Sequence, residues 1–423
     1  MHRSNYVTAF SLTILFTAAL IPAFAQSSKI VQSEMRLEPS PLLPPFHDQF
    51  GLVVAVSANG NTLAINAATE DNGPISEVGA ILIFDRISNQ WIQTARLFPN
   101  DGVDDEQLGT LGTSLSEDGN TVVAGPLIHS GAFNHEGAVY VFHRTNSAWV
   151  QEAELLSPTP GNNQLFGTWG VSISGDVIAA GDQGGLANGF TPGVDIFTRV
   201  NGQWLLSTTI QMPDDPDFSP SSVTIRGGTL VVANSSGGSN TGGVVFVFGL
   251  VNGNWVLQAK LAPPDATVGS QFGAIAAIDG NILAIGAPGA PGAAPFSGAV
   301  YLFTKGDRGW VQTAKLAASD GAGLDTYGLG LDLNSGMVAV GAPSHNLGAG
   351  NAAGAVYLYQ IEDGKATQFA EFAGSDIGPG GNFGLSVSLR AGILLVGGPG
   401  QHPQPNNNPF YPEGEAYIYR IDH

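Results

Sequence analysis

Apolar positions along this chain come in short runs that recur in a fixed order. A small-sided segment such as Leu52–Val56 leads through a tight turn to an almost wholly apolar segment such as Ile282–Ile285. The third segment alternates, as in Gly298–Phe303, and the fourth starts at a tryptophan, as in Trp310–Leu316. Alternation predicts strands, and a continuous apolar run predicts a strand that is covered on both faces. Each unit is therefore predicted to form four antiparallel strands.

This four-segment unit occurs seven times, with starts near residues 50, 108, 166, 218, 272, 327 and 383. Seven repeats of four strands are typical of a radial β-propeller. The seventh unit stops after its third segment, Tyr417–Tyr419, whereas Val31–Leu37 near the other end of the chain matches the fourth segment. A strand that completes the last blade would close a ring. The predicted fold class is all-β, a seven-bladed propeller of four-stranded antiparallel blades, closed by this N-terminal strand.

The repeat contains two short signatures, Phe272-Gly273 and, 14 residues later, Gly286-Ala287-Pro288. On these phrases the chain resembles FG-GAP repeat proteins, the family of the integrin α-subunit N-terminal propeller, and in particular the bacterial exported type. In that family calcium often binds an Asp-rich loop between the first two strands. Here the corresponding loops, such as Ser57–Asn61 and Arg226–Gly228, lack several oxygen ligands on one short loop. The resemblance therefore implies the fold, and no calcium, other metal or cofactor is expected.

The first residues are predicted to be a signal peptide. Arg3 precedes an apolar run from Val7 to Phe24, and Ala23-Phe24-Ala25 is a small–x–small cleavage pattern. The alternative, a membrane anchor, is disfavoured by Pro22 and by the lack of a following basic cluster. We expect residues 1–25 to be removed and residues 26–423 to form one domain, secreted or periplasmic, without membrane insertion. There are no cysteines, so strand pairing and burial alone must stabilise it.

The formal net charge of −20 argues against nucleic acid and anionic membranes as partners. It permits a cationic partner, although acidity also keeps an exported protein soluble. A monomer is expected. The sequence contains no nucleophile elbow, zinc-protease helix or phosphate-binding loop, and an enzyme is not expected. The histidines in the predicted connections are interpreted as scattered surface residues, with a zinc site as the alternative; they are His47, His129, His135, His345 and His402.

Blade 3 departs from the repeat at two positions. Asp182 stands where alanine follows the glycine of Gly-Ala-Pro, and Asp195 stands where the third strand has tyrosine. A carboxylate in the middle of a blade is costly unless it is paired or hydrated. The two residues are either a functional carboxylate pair or the mark of a degenerate blade with a locally wet edge.

Long connections are predicted at one end of the propeller and tight turns at the other. Binding residues concentrate on variable loops held by a rigid scaffold, so the long-loop end is the candidate ligand face. Its acidic candidates are Asp101, Asp104, Asp105 and Glu106, and its aromatic candidates for stacking include Phe410 and Tyr411. The first hypothesis is a binding or adhesion module for a protein or surface polymer. The alternatives are a lectin-like propeller that binds an extracellular polysaccharide and, less favoured, a propeller enzyme.

Overall fold

The computed structural model describes residues 31–39, 48–184, 192–212, 218–237, 242–346, 352–375, 377–400 and 414–421. The predicted signal peptide lies outside these ranges. Among the described residues, no helix is long and apolar enough to cross a membrane. The strands, in chain order, are β1 Val31–Leu37, β2 Phe50–Val56, β3 Thr62–Ala67, β4 Ala80–Ile87, β5 Gln90–Leu97, β6 Leu108–Leu115, β7 Thr121–Pro126, β8 Val139–Thr145, β9 Ala148–Leu155, β10 Val171–Ser174, β11 Val177–Asp182, β12 Gly193–Val200, β13 Gln203–Gln211, β14 Ser222–Arg226, β15 Thr229–Asn234, β16 Val244–Val251, β17 Asn254–Leu261, β18 Ala276–Asp279, β19 Ile282–Ala287, β20 Ala299–Gly306, β21 Gly309–Leu316, β22 Gly330–Asn334, β23 Met337–Ala342, β24 Ala355–Glu362, β25 Lys365–Phe372, β26 Ser386–Arg390, β27 Ile393–Gly398 and β28 Glu415–Ile421.

These strands form seven four-stranded antiparallel sheets within the described residues, and each sheet is one blade. Blades 1 to 6 take four consecutive strands each, starting from β2. Blade 7 has the order β1-β28-β27-β26, so the first strand of the chain is its outermost strand. In that pairing Met35 lies opposite Ile418 and Leu37 lies opposite Ala416. The predicted fold class and ring closure are both confirmed.

The hydrophobic core lies between the blades. Each of the seven clusters of buried apolar residues within the described chain draws its members from two neighbouring blades. The cluster that joins blades 7 and 1 contains Leu37 from β1 together with Phe50 and Ile418. Burial of apolar area on both faces of every blade is the main favourable term in such a ring.

The two sequence signatures meet at the junction of neighbouring blades. In blade 6 the N–H of Gly328 donates to the carbonyl of Gly341 at 2.9 Å. This hydrogen bond joins the Tyr327-Gly328 motif, which precedes the first strand, to the Gly341-Ala342-Pro343 motif, which ends the second strand. A Cβ on Gly286 of blade 5 would lie 2.1 Å from the Gly328 carbonyl oxygen. Gly328 itself has φ +93°, a left-handed conformation that favours glycine. Both glycines are therefore required by close backbone packing.

Candidate functional site

The strand order puts two kinds of connection at opposite ends of the propeller. Turns from the first to the second strand and from the third to the fourth strand are short, and we call this the tight-turn end. Connections from the second to the third strand and from the fourth strand to the next blade are longer, and we call this the long-loop end. The long-loop end holds most of the buried polar residues described below.

A buried carboxylate ties together three segments of blade 2 at the long-loop end. Glu106, two residues before β6, is 1% exposed. Its Oε1 lies 2.8 Å from His129 Nδ1 and accepts the hydroxyl of Tyr140 at 3.0 Å. Its Oε2 accepts the N–H of Val103 at 3.2 Å. The side chain thus holds the loop before the blade, the loop between β7 and β8, and β8 itself in one arrangement.

The charges around His129 favour its protonated form. Burial alone would lower the pKa of His129, but the hydrogen bond to Glu106 and the charges of Glu106, Glu154 and Asp101 raise it above its ordinary value of 6.5. Burial raises the pKa of Tyr140, and the charge of Glu106 adds to this effect, so the hydroxyl stays protonated and donates. A His⁺–carboxylate hydrogen bond is stronger than the neutral one.

Blade 6 repeats this arrangement with aspartates. Asp325, again two residues before the blade, accepts from His345 Nδ1 at 2.8 Å and from the N–H of Ala322 at 2.6 Å. The hydroxyl of Tyr357 donates to Asp320 at 2.8 Å. Blade 1 has a related arrangement, in which an arginine on the fourth strand pairs with a loop carboxylate. Glu70 takes the place of the histidine, and it forms an ion pair with Arg96. The long loops are therefore held at their bases by buried charged side chains.

The structure corrects two expectations about these residues. Glu106 is buried, whereas the sequence analysis grouped it with Asp101, Asp104 and Asp105 as a candidate residue of the ligand face. His129 and His345 are also buried, at 7% and 4% exposed, so they are not surface histidines. A charged loop residue is expected at the surface unless a partner meets it, and here the partners come from distant segments. No cluster of three or more metal-ligating side chains occurs within the described part of the chain.

The remaining acidic candidates of the first long loop are exposed. Asp101, Asp104 and Asp105 all face solvent. Asp104 Oδ1 accepts the N–H of Ser76 at 2.8 Å, which links two neighbouring loops. Phe410 and Tyr411 lie outside the described residues, as do His47 and His402. Asp101, Asp104 and Asp105 are therefore exposed on one loop, and Glu106 of the same loop is buried.

The two aspartates of blade 3 are buried. Asp182, 6% exposed, accepts Ser157 Oγ at 2.8 Å and the N–H of Gly184 at 2.8 Å. Gln164 Nε2 donates to both oxygens of Asp182, at 2.9 and 2.7 Å. Asp195 is fully buried and accepts the hydroxyl of Thr209. Burial raises the pKa of Asp195 to about 7, against the effect of Thr209, and the charge of Asp182 adds to the rise.

The tight turns between first and second strands do not fit a calcium ion. In blade 1 Asn59 Oδ1 accepts Ser57 Oγ at 2.9 Å and the N–H of Asn61 at 2.9 Å. In blade 2 Asp118 makes the same pair of bonds to Ser116 and Asn120. Each of these two turns has one such side chain, which caps the turn, and the turns Arg226–Gly228 and Arg390–Gly392 have no oxygen-bearing side chain at all. A calcium ion needs six to eight oxygens, including several carboxylates.

The innermost strands enclose a central channel with an aromatic residue at its long-loop mouth. The channel has a volume of about 300 Å³. Trp169 lines it and is 38% exposed, and Leu111 of the preceding blade lines it and is 41% exposed. Both come three residues after the start of their blade. The same position of other blades also lines the channel, with Val53, Ser221 and Ile275.

The backbone on both sides of Trp169 is fixed. Thr168 Oγ1 donates to the carbonyl of Pro126 in blade 2 at 3.0 Å, and the carbonyl of Gly170 accepts the N–H of Gly181 at 2.9 Å. A large amphipathic ring held in this way binds a partner at a low cost in conformational entropy. The sequence analysis missed this residue. The sequence does contain one indication of its role, because Trp169 does not belong to any of the fourth segments that begin with a tryptophan.

The loops of the long-loop end contain acidic residues but no lysine or arginine. In the sequence, none of the fourteen segments that connect second to third strands, or fourth strands to the next blade, contains lysine or arginine. The same segments contain 18 of the 35 acidic residues, namely Glu38, Asp48, Glu70, Asp71, Glu77, Asp101, Asp104, Asp105, Glu106, Glu136, Asp214, Asp215, Asp217, Asp265, Asp320, Asp325, Asp376 and Glu413. Arg86, Arg144 and Arg390 are on strands close to the tight-turn end. Other basic residues, such as Arg96 and Lys315, lie at the ends of fourth strands near the long loops, where they form ion pairs with Glu70 and Asp265.

A family model described as FG-GAP repeat matches residues 255–303 and 310–359, which belong to blades 4 to 6. These residues carry FG-GAP repeats. The matched segments and the seven-bladed ring together are consistent with an integrin α-like FG-GAP propeller. This fold is generally used for binding. No curated protein matches the chain.

Solved structures with a similar fold are distant in sequence from this chain. The U3-55K structure is 10% identical with a TM-score of 0.52, and the match covers 91% of this chain and 98% of that one. A proposed 6-phosphogluconolactonase from Bacteroides fragilis NCTC 9343 is 13% identical with a TM-score of 0.50, and the match covers 76% and 84%. At these identities the likeness shows the fold alone.

Proposed function

We propose that this FG-GAP propeller is an exported binding and adhesion module that takes a protein partner at its long-loop end. The observation that carries the proposal is Trp169, a partly exposed tryptophan at the channel mouth that is held by fixed backbone on both sides. Tryptophan is enriched among the residues that supply most of the binding energy in protein interfaces. Leu111 beside it extends the apolar surface, and the loops around both residues are braced by buried carboxylates.

Charge complementarity defines the partner further. Because the connections at this end contain acidic residues and no lysine or arginine, a partner surface rich in lysine or arginine is attracted, and an anionic polymer is repelled. The proposed partner therefore presents an apolar side chain to the channel mouth and basic side chains to the surrounding loops. Secretion follows from the leader-like residues 1–25 and belongs to the same proposal.

A carbohydrate partner is the second candidate, because an exposed tryptophan also stacks on a sugar ring. The two candidates differ in salt dependence. Binding of a basic peptide at an acidic face weakens as ionic strength rises, whereas stacking of a neutral sugar does not. A neutral glycan that binds at the mouth with no dependence on salt would favour the second candidate.

The test uses the mature chain and a random peptide display library. Selection is expected to enrich peptides with an aromatic or aliphatic residue beside lysine or arginine. Trp169→Ala should weaken the selected peptide at least tenfold, about 1.4 kcal/mol, by fluorescence anisotropy. Leu205→Ala, which removes a half-exposed leucine from the outer strand of blade 3, is the matched control and should bind normally.

A second set of variants separates the two ends. Replacing Asp104 and Asp105 with Asn should weaken the peptide and reduce the salt dependence, because both side chains are exposed at the long-loop end. Replacing Asp118 and Asn146 in the opposite turns should leave binding unchanged. If the turn variants abolish binding while the Trp169 variant binds normally, the proposed face is wrong.

A further inference from the structure

Two neighbouring loops at the long-loop end present bulky apolar side chains to solvent. Phe296 lies in the connection between β19 and β20 of blade 5, and Leu324 lies in the connection from β21 to blade 6. Phe296 is 57% exposed, and Leu324, at 71%, is the most exposed large apolar residue in the described part of the chain. The two residues are adjacent, because the N–H of Leu324 donates to the carbonyl of Phe296 at 2.9 Å. Neither residue belongs to the hydrophobic core on either side of blade 5.

Both residues have a left-handed backbone, which is unfavourable for a bulky side chain. The φ angle is +58° at Phe296 and +72° at Leu324. Glycine, asparagine and aspartate adopt this conformation readily, whereas a leucine or phenylalanine in it is an outlier. Such strain persists only where the surrounding structure imposes it, and it concentrates at functional sites.

The other blades show that the fold requires the left-handed backbone here but does not require leucine. Leu324 lies three residues before Tyr327, the start of blade 6. The residues at the same distance before their own blades also have positive φ, and they are Asp105, Asn163, Gly269 and Gly380. All four are types that tolerate this conformation. The position of Phe296, two residues before the glycine that opens the third strand, holds Glu77, His135 and Ala352 in blades 1, 2 and 6.

The surface around the two residues is apolar at its centre and acidic at its rim. The two loops pack closely, since a Cβ on Gly323 would lie 3.1 Å from the carbonyl oxygen of Pro295. The loop before blade 6 is braced from below, because the buried Asp325 accepts the N–H of Ala322 at 2.6 Å. Asp320 lies on the same loop and is half exposed. We call the four exposed apolar residues here the blade 5–6 patch, and they are Pro295, Phe296, Ala322 and Leu324.

We propose that the blade 5–6 patch is a second docking point for the protein partner, where Phe296 and Leu324 pack against apolar side chains of that partner. The inference rests on the proposed function only in taking the partner to be a protein bound at the long-loop end. Because the braced loops hold both side chains in place, ordering them on binding costs little conformational entropy. The backbone strain at both residues is then explained by their presentation to the partner.

Charge favours a protein partner over the other occupants of such a patch. Asp320 is on the rim, and Lys315 at the end of β21 is neutralised by Asp265 at 2.6 Å. The partner is therefore expected to present lysine or arginine next to its apolar side chains. A second copy of this chain would bring its own acidic loops, which contain no lysine or arginine, and an anionic membrane would bring negative headgroups. Both are repelled.

The test selects peptides from a random display library with the mature Trp169→Ala variant as bait. This bait lacks the anchor of the proposed function, so peptides that depend on Trp169 are not enriched. We expect the enriched peptides to contain apolar residues beside lysine or arginine. By fluorescence anisotropy, Phe296→Ala and Leu324→Asn in this bait should each weaken them at least tenfold. Val311→Ala is the matched control and should bind normally, because it changes a half-exposed residue on the outer strand of the same blade.

The melting temperature is a readout in which a structural role of Leu324 would have the opposite sign. Leu324→Asn introduces the residue type that blade 3 has at this position, Asn163. Its Tm should equal or exceed that of the parent, because asparagine adopts the left-handed conformation more readily than leucine does. If Leu324 stabilised the fold, Tm would fall, and the proposal would be wrong.

Three further results would overturn the proposal. One is a selection that enriches no peptide, or only peptides that bind Phe296→Ala as tightly as the bait. Another is self-association of the parent in sedimentation velocity that Leu324→Asn abolishes, which would assign the patch to a second copy of the chain. The third is binding of the parent to phosphatidylcholine vesicles that Leu324→Asn abolishes, which would assign it to a lipid surface. A failure of the Trp169 anchor appears in a different measurement, the affinity of the first peptide set for Trp169→Ala, and leaves this test in force.

Discussion

Arg36, on the first strand of the chain, forms an ion pair with Glu415, on the last strand, with 2.9 Å between Nη1 and Oε1. The two residues are separated by almost the whole described sequence, and they meet because β1 completes blade 7. Leu37 on the same strand is buried among residues of blades 7 and 1. The pairing with β1 therefore covers the edge of β28 that would otherwise be free.

Deleting residues 31–40 should destabilise the ring strongly. The deletion removes a paired strand, and burial of Leu37 alone is worth roughly 1.5–3 kcal/mol. It also exposes the edge of β28, and a free edge promotes association of chains. We expect a large fall in Tm and oligomers on gel filtration. A deletion of residues 26–29, upstream of the strand, is the control and should melt like the parent. A monomeric deletion variant with an unchanged melting curve would contradict closure by β1.

We expect that a larger residue at the glycines of the two signature motifs destabilises the fold, because it would clash with backbone of the neighbouring blade. A Cβ on Gly341 would lie 1.8 Å from the carbonyl oxygen of Gly384 in the next blade. Gly341→Ala should therefore cost roughly 1–3 kcal/mol or more, because one blade must move away from the next. Gly306, the exposed last residue of β20, has nothing within 4 Å of a built Cβ, so Gly306→Ala should change the free energy of unfolding little. Denaturant unfolding of both variants checks the difference, and equal effects would contradict this account of the junction.

The buried His129 should make stability depend on pH. Its pKa is raised in the folded state, through Glu106 first and then through Glu154 and Asp101, against the effect of burial. A raised histidine pKa contributes stability that is complete below the unfolded value of about 6.5 and is lost as pH rises through the folded value. The contribution should be about 1 kcal/mol, the difference between a charge-assisted and a neutral hydrogen bond.

The measurement compares Tm at pH 6 and pH 8.5 for the parent and for His129→Gln. Other groups also titrate in this range. The informative quantity is therefore the change in Tm between pH 6 and pH 8.5, compared between the parent and His129→Gln. We expect the parent to lose about 1–2 °C more than the variant between pH 6 and pH 8.5. Replacing His135, which is exposed at the same end, with Gln is the matched control and should keep the slope of the parent. Identical slopes for the parent and His129→Gln would show that His129 does not titrate as described.

The sequence by itself determined the strands, the number of blades and the closure of the ring. Each of these rests on local periodicity that is repeated seven times, so an irregular blade such as blade 3 does not obscure the pattern. The match of Val31–Leu37 to the fourth segment was sufficient to place it in blade 7, because a propeller blade that lacks its outer strand has one vacant edge. Pairing of β1 with β28 follows from these local signals.

Only the tertiary structure decided which polar residues are buried and which large apolar residue is exposed at the mouth of the channel. Glu106 is in an acidic loop and would be exposed by local criteria, but His129 and Tyr140 reach it from segments 23 and 34 residues away. Trp169 is one of six tryptophans in the sequence, and its exposure depends on the curvature that brings seven inner strands around one axis. Local patterns specify strands, whereas burial at the ends of a ring depends on how neighbouring blades meet, and that geometry is not encoded in the spacing of residues within a single repeat.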